Sequence, residues 1–370
     1  MMQEELTGKV QTVLGIINAD SLGVTLPHEH LLADLTMYFV EPTEASEKGL
    51  AHEPITLENL HWVHLHLENN ADNLKLADEK VAIKEALLHR WAGGDTIVEL
   101  SNIGLSRDPL GLARIARATG LNVVMGSGYY IGLSHPPELA AKTEGEITEE
   151  IVRDITVGVG ETGVRAGIIG EIGCSTPLED NERKVLRASA AAQQRTGAAI
   201  NIHQNIFQCA QNTDKTETES IVLGIIKVLG DAGADLSRTV ISHCDHSNFS
   251  RTTYHRLADA GCYIEFETFG RPAIPFFSVI GGEGFLDMPS DVWRINEIKS
   301  LISEGYLNHI LISHDVCFKS GYVTYGGCGY AHILRNVVPW MRQMGISDEQ
   351  IHTLMVENPK RILSFAPVKE

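Results

Sequence analysis

Histidines and carboxylates recur in this sequence at the ends of short apolar runs. Their types match the ligands of zinc and similar divalent metals, which bind imidazole and carboxylate groups. Four neutral histidines cannot balance two dications, so two carboxylates supply the missing negative charge. The pattern predicts a site for two divalent ions, with Zn²⁺ as the expected metal. The candidate ligands are His28, His30, Glu171, His203, His243 and Asp315.

The spacing of these residues predicts how they divide between the two ions. On a β-strand, residues i and i+2 share a face, so His28 and His30 point to one ion while Glu29 points away. A bridging carboxylate suits ions that lie about 3.5–4 Å apart. The predicted division places His28, His30 and Asp315 on the first ion, His203 and His243 on the second, and Glu171 between them.

Such a two-ion site predicts hydrolytic chemistry. Two Lewis acids lower the pKa of a shared water, so that a hydroxide between the ions attacks a carbonyl or phosphoryl centre. Asp315 is the expected catalytic residue, because its carboxylate can accept the proton of the nucleophile and deliver it to the leaving group. These residues therefore predict a metal-dependent hydrolase that acts on a small-molecule substrate.

The elements that must position these residues are short β-branched runs that alternate with longer helical patterns. Repeated alternation predicts parallel strands joined by crossover helices, and eight such units favour a closed (β/α)8 barrel, also called a TIM barrel. Reactive residues of such barrels lie at the carboxyl ends of the strands, where the candidate ligands fall. The predicted strands are Val24–Leu26, Thr96–Leu100, Asn122–Gly126, Ala166–Ile169, Ala199–His203, Thr239–His243, Cys262–Phe266 and Ile310–Ser313.

Helices and connecting segments complete this prediction. Apolar residues recur with a spacing near 3.6 in Glu79–Trp91, Asp180–Arg195, Thr216–Ala232 and Asp291–Glu304. Residues 8–20 are expected to form a hairpin that plugs the bottom of the barrel. The long segment from Leu31 to Leu76 is expected to be a loop with its own short helices that covers the site. No linker divides the chain, so residues 1–370 are predicted to form a single domain.

Composition excludes several classes of function. The chain has 30 Lys and Arg against 48 Asp and Glu, a net charge of −18, which argues against binding to nucleic acid or to an anionic membrane surface. No secretion signal and no apolar run long enough to span a bilayer is found, so a cytoplasmic location is expected. The six cysteines form no CxxC pair and are interpreted as buried free thiols.

Other histidines are weighed against the same criteria. A second His-x-His pair, His64 and His66, lies in a polar segment with no strand-end context and is not interpreted as a metal site. His314 adjoins Asp315 but is expected to point toward the helices. The remaining histidines, His246 among them, are interpreted as surface residues or as hydrogen-bonded core residues.

Two alternatives from other classes stay open. A mononuclear deaminase-type barrel shares the strand-1 His-x-His pair and the strand-8 aspartate, but it needs no ligand on strand 4. It also expects a general-acid glutamate near the strand-5 or strand-6 motif, and residues 201–205 contain none. A non-catalytic ligand-binding protein on the same fold is expected to have lost ligands, whereas all six candidates are present.

Longer motifs extend over nearly the whole chain. They include LGVTLPHEH at residues 22–30, GSGYY at 126–130, GIIGEIG at 167–173, YGGCGY at 325–330 and ENPKR at 357–361. Through these motifs the sequence resembles the phosphotriesterase-like branch of the amidohydrolase superfamily, and most of all its group of resiniferatoxin-binding, phosphotriesterase-related proteins. The resemblance implies a (β/α)8 barrel with a binuclear, usually zinc, centre and a homodimer.

The sequence departs from this family at two positions that affect function. Most relatives carry a carboxylated lysine on strand 4, where this chain has Glu171, as the phosphotriesterase-homology subgroup does. Thr268 stands where the related lactonases have an arginine, although Tyr130 matches their pocket tyrosine and is a candidate substrate-binding residue. Arg271 lies nearby and is a candidate for binding a substrate anion. A carboxyl ester, a lactone or a small N-acyl amide is the expected substrate, with a phosphotriester or phosphodiester as the alternative.

Overall fold

An eight-stranded parallel sheet forms the centre of the computed structural model of this chain, which describes residues 6–205, 215–247, 249–273, 276–278, 284–286 and 288–368. In chain order the strands are β1 Lys9–Thr12, β2 Gly15–Asn18, β3 Thr25–Glu29, β4 Ala33–Asp34, β5 Lys75–Leu76, β6 Thr96–Glu99, β7 Asn122–Ser127, β8 Ile168–Cys174, β9 Ile200–Gln204, β10 Thr239–Ile241, β11 Tyr263–Phe266, β12 Phe276–Ser278, β13 Gly284–Leu286 and β14 Ile310–Ile312. The order in the eight-stranded sheet is β14-β11-β10-β9-β8-β7-β6-β3, so these strands follow one another around the sheet in chain order.

Helices connect the barrel strands and surround the sheet. Two π-helical turns, Ile333–Val337 and Thr353–Glu357, lie in the last part of the chain. The α-helices are α1 Leu60–Leu65, α2 Glu79–Trp91, α3 Pro109–Thr119, α4 Glu144–Thr156, α5 Asp180–Thr196, α6 Lys215–Asp231, α7 Arg251–Asp259, α8 Asp291–Ser303, α9 Val338–Gln343, α10 Asp348–His352 and α11 Asn358–Leu363. The four helices named from periodicity are confirmed to within one residue at each end.

Local sequence signals explain why these helices begin and end where they do. The Thr143 side chain accepts a hydrogen bond from Glu146 N, and Glu146 reaches back to Thr143 N, which forms a capping box at the start of α4. Ser290 accepts a hydrogen bond from Trp293 N at the start of α8. Gly197 ends α5 in the left-handed conformation (φ 75°), which glycine adopts without a Cβ clash.

The first and last barrel strands meet and nearly close the sheet. His28 N donates a hydrogen bond to Ser313 Oγ (3.2 Å), and Asp315 N donates to the His28 carbonyl oxygen (3.3 Å). These bonds bring residues at the end of β3 beside residues that follow β14. The fold predicted from the sequence, a (β/α)8 barrel, is confirmed.

Glu29, the middle residue of the His-Glu-His motif, points away from its two neighbours and fastens the segment after β14. Its carboxylate accepts hydrogen bonds from Ser313 Oγ (2.8 Å), from His314 N (2.9 Å) and Nδ1 (2.7 Å), and from Val316 N (3.0 Å). His314 Nε2 in turn accepts a hydrogen bond from Ile333 N (3.1 Å). His314 therefore faces the helical layer, as expected.

Strand β8 is longer than the sequence analysis predicted. It runs to Cys174 instead of ending at Ile169, and its pairing with β9 shifts register between Ile169 and Ile172. A β-bulge of this kind bends a strand and re-aims a side chain. Gly170 occupies the bulge with a φ of 135°, a conformation that favours glycine. The apolar pattern could not show the extension, because glycines interrupt it.

A hairpin closes the amino-terminal end of the barrel. Strands β1 and β2 pair in antiparallel register, and Val13 N donates a hydrogen bond to Val123 O of β7. Val10 of the hairpin is fully buried in a core cluster with Val98, Val124 and Leu311 of the barrel strands. The expected plug at residues 8–20 is present.

The segment between β3 and α2 reaches over the opposite, carboxyl-terminal end of the barrel. It includes α1 and the short antiparallel pair β4–β5, in which Ala33 pairs with Leu76. Leu35, Tyr38 and Glu68 from this segment line a cavity together with barrel histidines. The segment therefore covers the site, as the sequence predicted.

The cysteines correct one prediction. Cys174, Cys244, Cys262 and Cys317 are buried and free, but Cys328 is exposed, because it lies in a glycine-rich loop and not on an apolar face. Cys209 lies outside the described residues. Among the helices that the structure describes, none has the length and apolar character needed to cross a bilayer.

Candidate metal centre

His28 and His30 lie at the end of β3 and direct one ring nitrogen each toward the same carboxylates. His28 Nε2 is 3.5 Å from Glu171 Oε2 and 3.8 Å from Asp315 Oδ1. His30 Nε2 is 3.4 Å from Glu171 Oε1 and 3.3 Å from Asp315 Oδ1. Both histidines are buried. The i, i+2 spacing on a strand thus brings the two rings together, as the motif predicted.

Glu171 lies between the other candidate ligands because the β8 bulge turns it into the barrel. Its Oε1 faces His30, whereas its Oε2 lies 2.9 Å from His203 Nδ1 and 3.8 Å from His243 Nε2. The two oxygens therefore face different histidines. This is the arrangement that a bridging carboxylate requires.

His203 and His243 form the second half of the cluster. His203 is on β9, and its Nδ1 is 2.6 Å from His243 Nε2. His243 follows β10 in the left-handed conformation (φ 61°), which costs a non-glycine residue about 1–3 kcal/mol. The Glu267 carboxylate offsets this cost, because it accepts hydrogen bonds from His243 N (2.8 Å) and pairs with His243 Nδ1 (2.6 Å).

Asp315 completes the set from the segment after β14. It too has a positive φ (47°), and its amide is held by the His28 carbonyl. Arg271 Nη2 donates to Asp315 Oδ2 (2.5 Å) and to the Asp315 carbonyl oxygen (2.9 Å). Burial alone would raise the pKa of Asp315, but Arg271, His30 and His28 hold it well below its usual value. The carboxylate is therefore ionised.

Two groups of these side chains are compact enough to hold a metal ion. The ligand atoms within each group all lie within 4.8 Å of one another: His28, His30 and Asp315 in one, and His28, Glu171 and His243 in the other. The first group is the triad predicted for the first ion. The second shares His28 with it, so the two groups adjoin. The six predicted residues, with His203 against Glu171 and His243, form one cluster, called here the ligand cluster.

The ligand cluster fits divalent metal ions by an independent criterion. His28 Nε2 is buried and has no hydrogen-bond partner among the described residues, although it points at two carboxylates. An unpaired buried polar atom is costly unless something else satisfies it. Four imidazoles and two carboxylates converge around this atom, which is the donor set that zinc prefers.

Without metal, the charges of the ligand cluster compensate one another. Burial alone would lower the pKa of His28, but Glu265, Glu171 and Asp315 raise it to about 9. Burial alone would raise the pKa of Glu171, but His203 and His30 hold it well below its usual value. The carboxylates thus attract positive charge to this point, and a metal cation can replace the protons.

Two supporting glutamates were not identified from the sequence. Glu265 Oε2, on β11, is 3.0 Å from His28 Nδ1 and accepts a hydrogen bond from Ser242 Oγ (2.7 Å). Glu267, two residues later, holds His243. A carboxylate on the far ring nitrogen fixes the orientation and tautomer of a ligating histidine. The i, i+2 spacing of two acids at the end of an otherwise apolar strand was the signal that could have found them.

His246 is a hydrogen-bonded residue, as the sequence analysis expected, and it also lies in this region. It lines the cavity at the ligand cluster, and its Nδ1 pairs with Asp245 Oδ1 (3.2 Å). His243, His246 and Glu267 form a third group of potential ligands. The sequence did not reveal this because His246 follows the strand by several residues in a turn.

Tyr130 stands at the wall of the site, close to the second half of the ligand cluster. Its hydroxyl is 3.1 Å from His203 Nε2 and accepts a hydrogen bond from Tyr38 OH (3.0 Å). Because Tyr38 donates to it, the Tyr130 hydroxyl has its own proton available for another acceptor. Tyr130 therefore lines the cavity beside His203.

Two adjoining cavities lead to the ligand cluster. The inner cavity is lined by Leu35, Tyr38, Leu105 and Tyr130 together with cluster residues. The outer cavity is lined by His64, Phe269, Cys328 and the glycines of the loop after β14. Arg271, Met288, Asp315, Cys317 and Phe318 line both cavities.

Thr268 contributes to a buried polar network and does not reach into these cavities. Its hydroxyl donates to Asp245 Oδ2 (2.5 Å) and accepts from Arg294 of α8. Arg294 is fully buried and also donates to Asp245 Oδ2 (2.5 Å). Of Thr268 and Arg271, the two residues considered after strand 7, Arg271 is thus the one that faces the cavities.

Comparisons with known proteins find similar sequences over nearly the whole chain. The sequence matches the profile of the phosphotriesterase family over residues 8–363. It is 40% identical to an N-acetyltaurine hydrolase of Dictyostelium discoideum, over 98% of this chain and 99% of that protein. It is 38% identical to the N-acetyltaurine hydrolase of Homo sapiens, over 97% of this chain and 99% of that protein.

Solved structures are similar over nearly the same length. A resiniferatoxin-binding protein from Rhodobacter sphaeroides has a TM-score of 0.88 and 35% identity, covering 96% of this chain and 95% of that one. A phosphotriesterase homology protein from Escherichia coli, complexed with phosphate in its active site, has a TM-score of 0.74 and 27% identity, covering 93% and 99%. The chain therefore belongs to the phosphotriesterase family and is a hydrolase.

Proposed function

We propose that this protein is a binuclear zinc-dependent hydrolase of small N-acyl amides, with N-acetyltaurine as its first candidate substrate. The observation that carries the proposal is the convergence of four histidines and two carboxylates around one buried, unpaired imidazole nitrogen. Full-length similarity to N-acetyltaurine hydrolases supports the amide as the bond that is cut.

The ligand cluster would hold the ions in the division predicted from the sequence. His28, His30 and Asp315 would hold the first ion, and the facing His203 and His243 the second, with one Glu171 oxygen toward each group. Two ions bound there supply Lewis-acid activation of a water and of the substrate carbonyl. A glutamate in place of a carboxylated lysine makes assembly of the site independent of bicarbonate.

Asp315 is the proposed proton carrier of the reaction. Its carboxylate is ionised, faces both cavities and is oriented by Arg271, so it can accept a proton from the attacking water. The same group then delivers that proton to the departing amine nitrogen, which is a poor leaving group until it is protonated. Tyr130, whose hydroxyl keeps a proton, is placed to bind the substrate oxygen.

A hydrolysis screen of zinc-loaded protein tests the proposal. The panel contains N-acetyltaurine, a lactone, a carboxyl ester and a phosphodiester, and metal content is measured on the same sample. We expect acetate and taurine to appear, with two zinc ions per chain. Glu171→Ala should abolish turnover, whereas Glu161→Ala, at a side chain that is 99% exposed, should not change it.

Three outcomes would contradict the proposal in different ways. Turnover of the lactone or phosphodiester alone would assign another bond to the same site. One ion per chain with full activity would favour a mononuclear mechanism. Wild-type turnover in Glu171→Ala would remove the ligand cluster from the reaction. The cytoplasmic location and the homodimer remain predictions from the sequence.

A further inference from the structure

We infer that Arg271 binds an anionic group on the amine half of the substrate, so that the site selects N-acyl amides whose amine carries one negative charge on a short spacer. The chemical class is a sulfonate or carboxylate of an ω-amino acid. The inference rests on the proposed amide hydrolysis for the identity of the substrate, but binding of the anion can be measured without turnover.

Arg271 is placed and restrained for such a contact. Its Nη2 donates to Asp315 Oδ2 and to the backbone carbonyl oxygen of Asp315, and it lies 3.1 Å from Cys317 Sγ. Its guanidinium carbon lies 5.6 Å from the centre of the Phe318 ring. The guanidinium is therefore held in one orientation at the wall that the inner and outer cavities share.

The guanidinium has hydrogen-bonding capacity beyond these contacts. A guanidinium carries five N–H donors in a planar fork that matches carboxylate and related oxyanions. Among the described residues, the hydrogen bonds of Arg271 all start from Nη2. Nε and Nη1 thus have no protein acceptor in the part of the chain that the structure describes.

Arg271 is also the side chain with a permanent positive charge that both cavities offer to a substrate anion. It is the one Lys or Arg among the described residues that line the two cavities. Glu68, Glu171 and Asp315 also line the inner cavity, so an anion placed beside these side chains would meet carboxylates.

The position of Arg271 sets the length of the spacer. Arg271 contacts Asp315 directly. An anion bound to Nε and Nη1 of Arg271 would therefore be separated from Asp315, the proposed proton donor to the leaving amine, only by the guanidinium group. The apolar side chains of the inner cavity, Leu35 and Leu105, remain for a short acyl group. One guanidinium carries one positive charge and matches one singly charged group. A monoanion is therefore favoured over a phosphomonoester dianion.

A pair of ketones that cannot be hydrolysed tests this inference. In 4-oxopentane-1-sulfonate, a methylene replaces the amide nitrogen of N-acetyltaurine, and in 5-hydroxypentan-2-one a hydroxyl also replaces the sulfonate. Calorimetry on the zinc-loaded protein should show at least tenfold tighter binding of the sulfonate. Arg271→Gln should abolish that preference by weakening the sulfonate alone, and Arg271→Lys should keep part of it.

Binding of the neutral ketone distinguishes two roles of Arg271, direct binding of the anion and orientation of Asp315. If Arg271→Gln weakens both ketones to the same extent, or lowers zinc content below two ions, Arg271 acts only through Asp315 and the inference is wrong. Absence of a preference in the wild-type protein also overturns it. Failure of the proposed function has a different signature, because the sulfonate ketone would still bind while N-acetyltaurine would not be cleaved.

Discussion

The two His-x-His pairs of this chain have the same spacing and opposite surroundings. His28 and His30 end a buried strand, where residues two apart share a face, and both rings meet Glu171 and Asp315. His64 lies in α1 and His66 caps it, and on a helix residues two apart do not face each other. The motif is therefore informative only with the element that carries it.

The two pairs also differ in what the surrounding chain provides. Glu265 and Ser101 hold the far nitrogens of the first pair. In the second pair, His66 stacks on Trp62 at 4.7 Å and its Nδ1 pairs with the Trp62 carbonyl oxygen (3.0 Å). Neither His64 nor His66 appears in a potential metal-binding group of the described residues.

Among the substitutions that test this comparison, His30→Ala is expected to have the largest effect on metal content and activity. Loss of a ligand should lower the metal content and reduce kcat/KM by about 10³-fold, because Lewis-acid stabilisation is worth several kcal/mol and about 1.4 kcal/mol corresponds to a factor of ten. Elemental analysis and steady-state kinetics on the same sample check it. Two tightly bound ions in the variant would contradict the ligand assignment.

The next effect concerns the support behind the first pair. Glu265→Gln keeps the size of the side chain but removes the charge that orients His28 through Nδ1. Metal affinity should fall by about 10- to 100-fold. Competition with a chelator measures it, and Glu297→Gln on the helical layer provides the matched control. Equal affinities in the two variants would limit Glu265 to packing.

His332, a histidine outside the ligand cluster, extends the comparison. It has a carboxylate partner but is not a candidate metal ligand. His332 Nε2 is 2.7 Å from Asp291 Oδ2, and although burial lowers its pKa, Asp291 and Cys328 raise it from 6.5 to about 9. A raised folded-state pKa stabilises the fold fully below about pH 6.5, and this contribution is lost as pH rises through 9.

His332→Gln should therefore destabilise the protein more at pH 6 than at pH 10. The expected difference is about 1–2 kcal/mol, as for a hydrogen bond between charged groups. Urea unfolding of wild type and variant at the two pH values measures it, and metal content should not change. A destabilisation that is the same at both pH values would show that protonated His332 is not the stabilising form.

The smallest effect is expected for His66→Ala. The ring of His66 stacks on Trp62 in a partly exposed position. Metal content should stay at the wild-type value and kcat/KM should change less than threefold. A loss comparable to that of His30→Ala would erase the distinction between the two motifs.

The sequence predicted the barrel and the residue types that gather at its mouth, because both follow from patterns only a few residues long. Apolar runs and strand-end histidines are local features. The bulge at Gly170 was not predictable, because it depends on how β8 pairs with β9. The Asp245–Arg294 ion pair joins residues 49 positions apart, and nothing in either local sequence indicates the other.

The supporting residues were harder to predict than the candidate ligands for a related physical reason. Glu265 and Glu267 act through the histidines that they orient, so their identity makes sense only once His28 and His243 are in place. Arg271 was recognised as a possible anion-binding residue, but its contact with Asp315 arises from the meeting of two loops.

The contact between the end of β3 and the segment after β14 also has a consequence for biosynthesis. His28 and Asp315 are among the first and the last candidate ligands that a ribosome would deliver, separated by most of the polypeptide. The triad for the first ion cannot exist until residue 315 has left the exit tunnel and the segment around it has docked on Glu29. Metal uptake at this triad would therefore follow translation of nearly the whole chain, and metal bound there would report that folding is complete.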